Sequence, residues 1–245
     1  MVDVALIGHF ARDRLVFRGT AEIASGGGVY YGSMALRRLG FSVAVITRLH
    51  PGDFDHLDEM RREGITVYAS PAAQTTGIEN IYPGETMDRR ICRPLAFAGP
   101  FAATEIPEVA ARAIIITPLM AGEVPPDLVR ALVARGPVGL DVQGFVRVRD
   151  GDTLLTRNWQ VYAEGAFVEA PFIPRTVLVR TGRGDTCFAT YVGSRLRASP
   201  EEACRLAAAV TSLKMEQPGP YRGTRVDAEH LLAGRRPPGA PRAPA

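Results

Sequence analysis

Lysine is almost absent: of the 29 basic residues in this 245-residue chain, Lys214 is the only lysine. That excludes a P-loop kinase, whose Gly-Lys-Ser/Thr follows a phosphate loop, because Lys214 sits inside a C-terminal helical pattern. The arginines are scattered and form no stripe interleaved with aromatics, and the net charge is only +3, so nucleic-acid binding is not expected. Cysteine is scarce too. Cys92, Cys187 and Cys204 make no Cys-x-x-Cys pair and leave one over, which excludes a disulfide framework and a zinc site; Cys187 reads as a small apolar helix residue. The histidines (His9, His50, His56, His230) lack ligand spacing. Apolar runs such as residues 43–46 and 113–116 are strand-sized, far below the roughly 20 residues of a membrane span. The chain opens on a strand pattern without a basic leader region, so a cytoplasmic protein with no membrane partner is expected. No Gly-x-Gly-x-x-Gly follows the first strand, which disfavours a dinucleotide-dependent oxidoreductase.

What is present is an alternation of strand and helix patterns. Residues 2–7 read as a buried strand. Ser25-Gly26-Gly27-Gly28 then opens a helix stopping at Gly40, residues 42–48 form a strand, 55–63 a helix closed by Gly64, and 65–69 a strand. Residues 75–97 break the pattern with Pro83-Gly84 between two extended runs and read as a hairpin outside the main sheet. Alternation resumes with a strand at 113–117, a helix at 125–135 and a strand at 138–142, placing Asp141, Gln143 and Gly144 where open α/β sheets bind ligands. Ser199-Pro200-Glu201-Glu202 is a capping box before a last long helix. The pattern predicts an α/β domain over 1–233, with a mostly parallel sheet flanked by helices, and a disordered Pro/Gly/Ala/Arg tail at 234–245.

The most informative segment is Arg180-Thr181-Gly182-Arg183-Gly184-Asp185. A β-branched run at 176–180 predicts a strand, and Phe188, Val192 and Leu196 predict a helix after the glycines. Unpaired N–H groups and the positive dipole end at such a helix start can hold an anion, and Gly182 and Gly184 permit close backbone approach. Asp185 stands where a carboxylate could take a proton from an attacking hydroxyl. The tripeptide Arg183-Gly184-Asp185 is also an adhesion-type sequence, read here as coincidence.

Taken together, Gly26-Gly27 with a helix ending Arg38-Leu39-Gly40, the 75–97 hairpin and Thr181-Gly182-Arg183-Gly184-Asp185 resemble the ribokinase-like (PfkB) carbohydrate kinases over most of the chain. The resemblance implies an ATP-dependent, Mg2+-dependent phosphotransferase acting on a hydroxyl of a small polyol: a sugar, cyclitol or nucleoside. It makes Asp185 the general base and Gly182, Arg183 and Gly184 the anion hole. It also places Asp13, Gly27, Gly28, Tyr31 and Gln143 at the substrate, and Thr156, Arg157 and Thr181 at the nucleotide. No metal ligand is assigned. Residues of about 12–23 and 75–97 would form a β lid, which in this family also serves as a homodimer contact. Three departures stand out. Tyr31 replaces an asparagine that touches substrate in many members, Arg183 replaces an alanine, and the stretch from Gly144 to Thr156 is too short for the αβ unit carrying the Asn-x-x-Glu motif. The rival expectation is therefore a catalytically weak or inactive relative that binds a small molecule as a sensor or scaffold.

Overall fold

A computed structural model describes residues 1–84, 87, 89–156 and 168–234, the side chains of residues 155 and 156 excepted. Five strands make a wholly parallel sheet: β1 (Val2–Ile7), β4 (Val43–Leu49), β5 (Thr66–Pro71), β8 (Ala111–Ile116) and β9 (Val138–Leu140), in the order β5-β4-β1-β8-β9. The central strands are near-continuous apolar runs because both faces are covered. On one face Val4, Leu6, Val45 and Ile115 pack under α1 (Gly28–Arg38), α5 (Arg183–Ser194) and α6 (Pro200–Met215), with α7 (Arg225–Leu232) beside α6. On the other, Ala5, Ile7, Ile114 and Ile116 meet Phe101, Ile106 and α3 (Pro126–Val133).

Helices α1 and α5 approach closely because glycines face the contact. A Cβ at Gly32 would stand 2.8 Å from the Ala189 Cβ, and one at Gly193 would stand 2.3 Å from Leu36 Cδ2. The capping box of α6 forms as expected: the Ser199 hydroxyl accepts from the Glu202 N–H at 3.2 Å, and the Glu202 carboxylate accepts from the Ser199 N–H at 2.9 Å.

A second, four-stranded sheet leans over the carboxyl ends of the first. Its order is β3 (Thr20–Gly26), β2 (Ala11–Phe17), β6 (Gly77–Tyr82), β7 (Ile91–Ala96). β2 and β3 form a hairpin turned at Arg18-Gly19, both with positive φ, and β2 pairs in parallel with β6. Asp13 therefore lies within a strand and not on a polar loop.

Three expectations are corrected. The strand predicted at 176–180 does not form; the segment runs irregularly along the end of α6, with the N–H groups of Leu178 and Val179 donating to the Met215 carbonyl. A β-branched run becomes a strand only where a ladder partner exists, and among the described residues the sheet ends at β9. The helix predicted at 55–63 is a 3-10 turn, Pro51–Leu57, leading into a short α2, Asp58–Arg62. The strand expected at 138–142 stops at Leu140, and Gln143 opens a short α4, Gln143–Val146. A hairpin, β10 (Arg147–Asp150) with β11 (Thr153–Thr156), fills the place of the αβ unit. The tail from residue 235 onward lies outside the described residues. Among the described residues no helix is long and apolar enough to cross a membrane.

Candidate active site

The second sheet, the end of β9 and the start of α5 enclose a cleft of about 460 Å³. Gly182 is the N-cap of α5 with φ +76°, and a Cβ there would lie 2.5 Å from the Tyr31 ring, so both conformation and space demand glycine. The first helical bond is donated by the Thr186 N–H to the Gly182 carbonyl. No backbone acceptor among the described residues takes the N–H of Gly182 or Gly184, so both can serve an anion.

Asp185 lies half-buried on the cleft wall. Burial is the main cause that pushes its carboxyl up to about 6, reinforced by the negative charge of Asp141 and opposed by the guanidiniums of Arg147 and Arg90 and by its own N–H. Across the cleft Asp13 is 6% exposed and accepts the Ile78 N–H at 3.0 Å; burial likewise raises it to about 6. It comes this close to β3 because Gly26 has no side chain: a Cβ would lie 2.6 Å from Asp13 Oδ2. Two carboxylates held near neutrality on opposite walls can orient a polyol and take its proton.

Of the residues expected at the site, Asp185, Gly182, Arg183, Gly184, Asp13, Gly27, Tyr31, Gln143 and Thr181 line this one cleft. Gly28 does not. It packs on Thr117, whose Oγ1 leaves no room for a Cβ, and its part is to seat α1 against the sheet. Thr156 ends β11 opposite Arg147, and Arg157 lies outside the described residues.

Sequence reasoning placed Arg183 at the anion hole but missed Arg90, Arg147 and Arg180. Arg147 is 7% exposed and donates to the Leu119 carbonyl at 3.2 Å, with no carboxylate partner at ion-pair distance among the described residues. Burial and then the like charge of Arg90 lower its pKa. Arg90 and Arg180 line the same cleft, Arg90 beside Tyr82. The Tyr82 hydroxyl shares a 3.0 Å hydrogen bond with Thr181 Oγ1, tying β6 to the α5 turn. With Arg183, four arginines face one small cavity, a density of positive charge suited to phosphate oxygens.

Among the described residues no cluster of three or more His, Cys, Asp or Glu could hold a metal ion by itself. Magnesium nevertheless fits here, since it commonly takes one or two carboxylates and completes its shell with phosphate oxygens and water. Asp141, whose charge raises Asp185, is the carboxylate placed to receive it; burial raises its own pKa and the Gln143 N–H, donating at 2.9 Å, lowers it.

Comparison with known proteins is uneven. No family model matches the chain, and no curated protein does. Among solved structures, a pyrophosphate-dependent kinase in the ribokinase family, in a sulfate complex, is 32% identical over 92% of this chain and 99% of its own, with a TM-score of 0.82. A structure of a pyrophosphate-dependent kinase in that family, complexed with a pyrophosphate analogue and myo-inositol, is 30% identical over 94% and 99%, also at 0.82. Ribokinase of Arabidopsis thaliana, complexed with ribose and ATP, shares the fold at 16% identity and a TM-score of 0.67, over 94% and 98%.

Proposed function

The chain belongs to the ribokinase family of kinases, and from that premise we propose that it transfers a phosphoryl group from inorganic pyrophosphate to a hydroxyl of a cyclitol or similar small polyol. The observation carrying this reading is the set of arginines 90, 147, 180 and 183 around the α5 turn. A donor made only of phosphate uses every one of these charges, whereas the nucleoside of ATP needs the additional surface of an αβ unit. Among the described residues that place holds the β10–β11 hairpin. The pyrophosphate-dependent relatives, one of them bound to myo-inositol, support the same donor and acceptor class.

In this mechanism the lid closes the polyol against Asp13, whose buried carboxylate accepts from its hydroxyls, while Tyr31 supplies an apolar wall. The reacting hydroxyl gives its proton to Asp185. Its oxygen forms the new bond to the near phosphorus of pyrophosphate as the bridging anhydride bond breaks. The N–H groups of Gly182 and Gly184 receive the charge of the transferring group, and the arginines hold the departing orthophosphate. Magnesium, held by Asp141 and the donor's oxygens, would neutralise donor charge.

The test is orthophosphate release and 31P NMR with pyrophosphate or ATP as donor, Mg2+ present, against a panel of cyclitols, sugars and nucleosides. Pyrophosphate with a cyclitol is expected to exceed ATP in kcat/KM by at least about 100-fold, the scale of one or two lost charge-assisted contacts. Equal or better turnover with ATP would remove the donor assignment and leave the acceptor assignment standing. Asp13→Ala is expected to raise the KM for the polyol on the order of 100-fold, since it deletes hydrogen bonds to a charged group. Donor affinity measured by calorimetry should stay unchanged, and an unaltered KM for the polyol would take Asp13 out of the site.

A further inference from the structure

The only lysine of the chain is fully buried: Lys214, on the last turn of α6, has no exposed surface. Its Nζ donates to the carbonyl oxygen of Thr181 and lies 5.2 Å from the centroid of the Tyr31 ring. No carboxylate pairs with it among the described residues. A buried ammonium without a counter-ion is costly and needs a reason.

The reason lies in the peptide that it touches. In a trans peptide the carbonyl and the following N–H point in opposite directions, and among the described residues no peptide bond is cis. A proton donor on the Thr181 oxygen therefore stands behind the Gly182 N–H, a turn N–H that no backbone acceptor takes among the described residues. We propose that Lys214 is the built-in counter-charge of the phosphate turn, a positioning residue whose ammonium polarises the Thr181–Gly182 peptide toward a bound phosphoryl oxygen. Anion binding at the turn and protonation of Lys214 are then two sides of one equilibrium.

The surroundings agree. The titratable groups facing Lys214 are Tyr31 from α1 and Asp185 from α5, with Tyr82 of β6 one hydrogen bond further away through Thr181; Cys187 of α5 lies beside Thr211 of α6. Burial lowers the Lys214 pKa to about 8, against the smaller upward pull of Asp185, and burial keeps the Tyr31 phenol neutral far above that. Lys214 thus loses its charge at mildly alkaline pH, in the interval where its neighbours keep theirs. An anion arriving at the turn favours the ammonium and must raise this pKa; by the same linkage, neutral Lys214 must weaken the anion.

The inference rests on the kinase reading only for the identity of the anion. A chain with one lysine gives one side-chain signal after lysine-specific 13C labelling, so the Cε resonance of the full-length protein reports its titration directly. A midpoint near 8 in the free protein is expected, moving up by about one unit or more when pyrophosphate saturates the site. Lys214→Met should bind sulfate, which keeps its charge throughout, roughly tenfold more weakly at pH 7 and no more weakly at pH 10. A merely structural lysine would lower stability without making the two proteins converge at high pH. A lysine midpoint that ignores an anion shown by calorimetry to be bound overturns the proposal, even if Lys214→Met fails to fold. If pyrophosphate does not bind but ATP does, the donor assignment falls, and the lysine titration is decided with ATP in its place. If no phosphate compound or sulfate binds, both fall.

Discussion

Asp185→Asn protein is expected to lose turnover on the order of 1,000-fold while melting at a higher temperature than the natural protein at pH 7. Both effects follow from one property. As a general base Asp185 must accept the hydroxyl's proton, and asparagine, of equal size, cannot; positioned bases contribute roughly 100- to 10,000-fold. Burial, with Asp141 adding to it, holds the Asp185 carboxyl at about 6 instead of its ordinary 3.8. The folded state therefore binds this proton more tightly than the unfolded chain, and stability from this group falls as pH rises from about 4 to 6. At pH 7 the whole penalty is present, and asparagine removes it. Each kcal/mol regained should raise Tm by about 2–4 °C in a domain of this size, and the gain should shrink at pH 5. Calorimetry at the two pH values with turnover measured alongside checks this; a lower Tm at pH 7 with turnover retained would mean that Asp185 is neither strained nor catalytic.

The same carboxylates set the acid limb. Asp13 and Asp185 are both raised to about 6, so turnover should fall below that pH more steeply than a single ionisation allows. The apparent values belong to the pair and not to either residue, because the charge of Asp185 acts on Asp13. Asp13→Asn should bring the slope to one proton at saturating polyol.

What could be read in advance divides by range along the chain. The α5 turn was legible because its elements are consecutive: two glycines, an aspartate and a helical apolar stripe declare strained backbone, a helix start and a carboxylate within six residues. The parallel sheet was legible because strands buried on both faces are short apolar runs between helical patterns. Asp13 reached the site through the family resemblance alone; its local surroundings are those of a solvated loop, and only the β2–β6 pairing buries it. Arg90 and Arg147 were not legible, since in a chain whose cations are nearly all arginine nothing local separates a site arginine from a surface one. Arg147 is selected by the β10–β11 hairpin, which folds it against Leu119 and toward Asp185. The failed strand at 176–180 has the same origin: residue propensity was readable, but a ladder partner is a property of the whole sheet, which among the described residues ends at β9. Lys214 was conspicuous by its solitude, yet its address under Thr181 depends on how α6 crosses α5.

Arg147→Met should have the second large effect, with opposite signs on stability and on binding. Its guanidinium is buried, bonded among the described residues to the Leu119 carbonyl alone, and burial with the positive charge of Arg90 outweighs the pull of Asp185 and Asp141 on it. In the free protein this arrangement opposes folding, because a desolvated cation beside a second cation gains little from one carbonyl. Methionine keeps the length and apolar contact of the side chain and deletes the charge, so the ligand-free variant should melt above the natural protein. Pyrophosphate reverses the account: its oxygens can lie between the two guanidiniums, and truncating one partner of such a buried charge pair costs about 2–5 kcal/mol. At 1.4 kcal/mol per tenfold, pyrophosphate affinity should fall by roughly 30- to 3,000-fold, while polyol affinity holds. Pyrophosphate should also raise the melting temperature of the natural protein far more than that of the variant. Thermal scans with and without pyrophosphate, on both proteins, read all four numbers; equal ligand-induced shifts would place the donor elsewhere and return Arg147 to a supporting role for the loop at Leu119.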